Sequence, residues 1–186
     1  GHYYVASNMS TPSHEPDCWA CGTYLTLDNN HWIETESLPP APGDEIFLVP
    51  RWPTNLFATV ATPEEVVDAY NMVYGANGTD PNHFDHDLSY AEILDVDTNV
   101  ALGHLLSGSP YPHYFHTPNA NEYQAGRSVL FDWTSELLNK YAKLLNEPLL
   151  SHMNDASARY VQDRTNFLAG GVTGTWNRTT GKIRIR

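Results

Sequence analysis

Three observations predict an α+β fold for this 186-residue chain. Apolar and polar residues alternate in short runs up to residue 60. From 62 to 170 the apolar residues recur at helical spacing, and from 172 to the end they alternate again. The expectation is a single domain over 1–186, with a small antiparallel sheet in 1–60, four helices in 62–170 and a strand pair in 172–186. Within it, 1–60 reads as a β-rich lobe stapled at Cys18/Cys21.

The first lobe holds four β-type runs bounded by turn residues: Tyr3–Ala6, Tyr24–Leu27, His31–Glu34 and Glu45–Val49. Asp28-Asn29-Asn30 supplies a tight connection between the second and third, because Asn tolerates the left-handed conformation. Pro39-Pro40-Ala41-Pro42-Gly43-Asp44 is a stiff approach to the fourth.

Thr62-Pro63-Glu64-Glu65 is a capping box with proline at the first helical position. It opens a helix with Val66, Tyr70, Val73 and Tyr74 on one face, stopping at Gly75. Ser89-Tyr90-Ala91-Glu92 is a second capping box and opens a helix to Leu106. A third helix is expected over 121–146, with Leu130, Trp133, Leu137, Tyr141 and Leu144 in one stripe, ended by Pro148. A fourth starts near Ser151, carries Met153, Ala156, Tyr160 and Phe167 at helical spacing, and stops at Gly170-Gly171. The strands Val172–Trp176 and Lys182–Arg186 flank a Thr180-Gly181 turn, with Ile183 and Ile185 expected to face inward.

Composition excludes several classes. With 41% hydrophobic and 12% aromatic residues, wholesale disorder is out. No run of eighteen apolar residues exists, so no membrane span is expected. The net charge of −12 argues against general nucleic-acid binding. A local exception is the end of the chain, where Arg178, Lys182, Arg184 and Arg186 occur without an acid. This is either a basic solvated strand or a contact for an anion or partner. The triplets Asn8-Met9-Ser10, Asn77-Gly78-Thr79 and Asn177-Arg178-Thr179 are compatible with a secreted or extracellular origin.

Both cysteines lie in His14-Glu15-Pro16-Asp17-Cys18-Trp19-Ala20-Cys21, and His31 follows. A C-x-x-C turn can present two sulfurs to one ion, and His14 and His31 would complete a tetrahedral zinc shell. Four protein ligands leave no open position, so such a zinc site would be structural. The alternative is a Cys18–Cys21 disulfide with bystander histidines. A redox-active pair is disfavoured by Pro16 and Gly22. The deaminase pattern is excluded, because the glutamate is adjacent to the histidine and both motif pieces share one turn.

The second polar concentration is Asp80-Pro81-Asn82-His83-Phe84-Asp85-His86-Asp87, in the loop between the first two helices. His83, Asp85, His86 and Asp87 are the candidate catalytic set of a metal-assisted hydrolase. His113 or His116, in Tyr111–His116, would serve as a further acid or base, and His104 could point the same way. Asp95-Val96-Asp97-Thr98-Asn99 starts like a calcium loop but lacks its glycine and final glutamate. Two readings therefore stand: a metal-binding domain, hydrolytic on a small substrate, or a non-catalytic, secreted or surface-displayed protein-recognition module. Convergence of the His/Asp side chains in one pocket separates them.

Overall fold

The computed structural model describes residues 3–6, 21–28, 31–34, 46–150 and 152–186. Among them are four α-helices and eight short strands, and the class is α+β. The chain divides into two compact units. The first comprises Gly1–Arg51, Pro110–Pro112 and Ser151–Arg186; the second comprises Trp52–Ser109 and His113–Leu150.

In the first unit, β1 (Tyr3–Ala6), β2 (Thr23–Asp28), β3 (His31–Glu34) and β4 (Ile46–Val49) form one sheet in the order β1-β4-β2-β3. β2 pairs antiparallel with both β3 and β4, in keeping with the antiparallel sheet expected for this lobe. β1 instead runs parallel to β4, with Tyr3 opposite Ile46, so the sheet is mixed. A parallel pair needs a long crossover, and the 39 residues separating the two strands provide one.

Helix α4 (Asn154–Ala169) contacts β4. It buries Ala158, Val161, Gln162 and Thr165, an i, i+3, i+4, i+7 stripe. The expected stripe is the other one: Met153, Tyr160 and Phe167 are exposed instead. Close packing at Gly22 decides which side is buried. Any Cβ there would collide with the Phe47 ring and the Leu48 carbonyl, and the Gly22 N–H donates to Thr165 Oγ1 at 2.9 Å. Tyr24 packs edge-on against Phe47 and donates its hydroxyl to Asn166 Oδ1 at 3.0 Å.

The chain ends in β7 (Gly174–Asn177) and β8 (Lys182–Ile185), an antiparallel pair that forms its own two-stranded sheet. Gly181 takes the positive φ of +67° that the turn requires, and Asn177 Oδ1 accepts from the Thr179 and Thr180 amides. Ile183 and Ile185 do not face inward; they are 70% and 71% exposed. Among the described residues the pair joins no larger sheet.

The second unit packs α1 (Pro63–Tyr74), α2 (Tyr90–Leu106) and α3 (Val129–Leu144) around Leu56, Val66, Tyr70, Ile93, Val129 and Trp133. Both capping boxes form, Thr62 with Glu65 and Ser89 with Glu92. Helix α3 starts eight residues later than its stripe suggested. Residues before it make the hairpin β5 (Glu122–Gln124) and β6 (Arg127–Ser128), turned at Gly126 with φ +71°. Ser128 then caps the helix by accepting from the Phe131 amide at 3.1 Å. Among the described residues no helix is long and apolar enough to cross a membrane.

Candidate functional site

The loop carrying His83, Asp85, His86 and Asp87 is pinned to the end of α1. Asp80 N and Phe84 N donate to the carbonyls of Val73 and Tyr74, and the Asn71 amide clamps both backbone groups of Leu88. Asp87 is taken up in this framework, accepting from the Ala76 amide at 3.0 Å. His83 bonds through Nδ1 with the Phe84 carbonyl at 2.8 Å. Asp85 and His86 do meet, with Oδ1 and Nδ1 2.6 Å apart, their side chains 97% and 60% exposed. That hydrogen bond lowers the Asp85 pKa and raises that of His86. The product is one solvent-facing ion pair with its neighbours occupied locally. No group of three His, Cys, Asp or Glu side chains set to hold a metal occurs among the described residues.

His113 pairs with His104 instead, at the end of α2, with Nε2 and Nδ1 3.0 Å apart. The Trp52 indole stacks on His104 at 3.8 Å between ring centres and donates its N–H to Ser109 Oγ. Tyr114 N donates to the Trp52 carbonyl, which sets the 113–114 backbone beside Trp52. Beneath the pair, Asp97 accepts from the Trp133 indole at 2.5 Å and from the Asn55 amide at 3.1 Å. Burial pushes the His113 pKa down to about 4, and His104 adds to that. Burial also lowers His104, opposed by Asp97, and raises Asp97, opposed by its hydrogen bonds. These surroundings favour two neutral imidazoles. His116, by contrast, is exposed, and its ring stands edge-on to Tyr114.

Sequence reasoning missed a second buried carboxylate. Asp132 in α3, its side chain 2% exposed, takes Arg127 Nε at 2.6 Å and the hydroxyls of Tyr90 and Tyr123. Burial, with Asp132 next, raises the Tyr90 pKa, so the phenol stays a donor. The network ties α2, the β5–β6 hairpin and α3 together, and every acceptor position is filled by protein. Its available signal was an acid directly before Trp133 in an otherwise apolar stripe. Asp97 carried the same signal in the stretch compared with a calcium loop. There Asp95 binds Lys140 at 2.8 Å and Asp97 is buried.

Of the expected metal set, His14 and Cys18 lie outside the described residues, as does the side chain of His31, whose backbone pairs with Asp28. Cys21 is buried and disulfide-bonded, and its carbonyl accepts from the Tyr111 hydroxyl.

The remaining candidate surface is the β7–β8 hairpin. Trp176 is opposite Ile183 and Gly174 opposite Ile185, so Trp176, Ile183 and Ile185 share one face. Thr175, Asn177, Lys182 and Arg184 share the other. Arg178, at the turn, lies 5.4 Å from the centre of the Trp176 ring. Trp176 is 62% exposed. No family model, curated protein or solved structure matches the chain.

Proposed function

We propose that this chain is a non-catalytic protein-recognition module, secreted or surface-displayed, with a Cys18–Cys21 disulfide, whose binding element is the C-terminal hairpin. The observation that carries this reading is the exposed apolar face of Trp176, Ile183 and Ile185 on a two-stranded sheet. An isolated hairpin is marginally stable in water, and an aromatic anchor beside arginine is the side-chain chemistry enriched at interfaces. The disulfide-bonded state of Cys21 supports an oxidising compartment. The hydrolase reading requires His83, Asp85, His86 and Asp87 to share a pocket. The local bonds of His83 and Asp87 weigh against it.

The test is binding of the full chain to a panel of extracellular proteins, alongside Trp176→Ser and His86→Ala variants. The expected result is saturable binding that Trp176→Ser abolishes and His86→Ala preserves. Binding that survives Trp176→Ser would overturn the assignment of the hairpin. Hydrolytic turnover lost in His86→Ala would replace the reading with the enzymatic one.

A further inference from the structure

The hairpin has a complement on the chain itself. Residues 52–126 contain ten acidic side chains and no Lys or Arg. Residues 174–186 contain four cations and no acid. Inside the cation-free stretch, α1 and the loop leading into α2 enclose a groove of about 790 Å³. Val67, Met72 and Leu88 contribute apolar wall, and Asp68, Asp87 and Ser89 contribute polar wall. Met72, in the last turn of α1, lines this groove and is 71% exposed.

We infer that the hairpin of one molecule docks in this α1 groove of a second copy of the same chain. Trp176 and Ile183 would lie against Met72 and Val67, covering apolar surface on both partners. Arg178 projects beside Trp176 on the docking side and meets the Asp68 carboxylate at the groove wall. Lys182 and Arg184, on the reverse face, supply longer-range attraction toward a groove lining that holds two aspartates and no Lys or Arg. Charge complementarity favours this groove over the one along α4, where Arg159 stands with Asp155 and Asp163 and offsets part of their charge. It also disfavours hairpin-on-hairpin pairing, which would bring two sets of cations together. Because hairpin and groove are different surfaces, the contact is heterologous, and it leaves a free groove on one molecule and a free hairpin on the other. Assembly then continues to a ring or an open chain.

This inference rests on the recognition reading, and complementation between two defective chains tests it separately. Asp68→Lys damages the groove and spares the hairpin; Arg178→Glu and Trp176→Ser damage the hairpin and spare the groove. Sedimentation velocity of the wild-type chain over a concentration series should show reversible association. It should weaken at about 1 M salt, where the screening length falls to about 3 Å. Each single variant should associate at least about tenfold more weakly. Asp68→Lys mixed with Trp176→Ser should form a dimer that stops at one of each, because the only other pairing sets a hairpin without its tryptophan, and with Arg178, against the lysine of Asp68→Lys. Since Asp68 and Arg178 are exposed, circular dichroism of Asp68→Lys and Arg178→Glu should match wild type. A wild-type chain that stays monomeric at every concentration overturns the second-copy inference. So does a mixture that stays monomeric, or association unchanged in Arg178→Glu and Trp176→Ser. In those cases, loss of an extracellular ligand by Trp176→Ser still upholds the recognition reading with another protein as occupant.

Discussion

A histidine held neutral by burial makes folding depend on pH in a defined direction. The pKa of His113 is depressed from 6.5 to about 4, so between those values the unfolded chain binds the proton and the folded chain does not. Stability is therefore highest above about pH 6.5 and falls as pH drops toward 4. Asp97 acts in the opposite sense: its raised pKa makes the folded state the better proton acceptor above 3.8. Comparing wild type with His113→Gln isolates the histidine. In urea titrations between pH 4 and 6.5 the variant should lose up to about 1.4 kcal/mol per pH unit of slope, one proton's equivalent. Equal slopes would show that His113 does not titrate across this window. Proximity of His104 and His113 was legible only as part of an expected convergence on the loop of His83, Asp85 and His86; the bond between the two rings was not. Nor were the partners of Asp97 and Asp132. A carboxylate on a helix reads as solvated until a facing indole or guanidinium is placed against it, and that placement is tertiary.

Elements ended where short-range chemistry ends them. Thr62 and Ser89 satisfy their helices' first amides through contacts spanning three residues, so the starts of α1 and α2 could be read directly. Thr62→Ala and Ser89→Ala should each cost about 1 kcal/mol in denaturant unfolding. Unchanged midpoints would mean that those caps are frayed in solution. Helix α4 could not be read in the same way, because it carries apolar residues on two sides. The choice between them belongs to Gly22, 143 residues away from Thr165. Replacing Gly22 with Ala puts a methyl group against the Phe47 ring and the Leu48 carbonyl. That change should destabilise the first unit by about 1–3 kcal/mol, the range for overpacking a filled core. A thermal midpoint equal to wild type would show that the backbone at Gly22 can draw away from Phe47 and Leu48 of β4 without cost. The parallel β1–β4 pairing was likewise invisible, since strand pattern records burial and not the direction of a distant neighbour.

At the level of the molecule, acidic charge and apolar exposure are distributed unevenly. Cations concentrate on the terminal hairpin of the first unit, whereas the second unit has none before Arg127. Segregation of this kind favours association between molecules over uniform repulsion, which is the physical basis for proposing a second copy as the occupant of the α1 groove. The same division into units gives a way to decide between the disulfide and the zinc shell of His14, Cys18, Cys21 and His31. Cys21 directly precedes Gly22, and both the Cys21 carbonyl and the Gly22 amide are held by the first unit, through Tyr111 and Thr165. Opening a Cys18–Cys21 bond removes a small closed loop, worth about 2 kcal/mol in chain entropy. Reductant should therefore accelerate amide exchange in 21–28 and 154–169 while leaving 63–74 and 90–106 unchanged. A chelator should change neither set. If the chelator loosens 21–28 and the reductant does not, the thiols are bound to a metal, and the extracellular assignment falls with the disulfide.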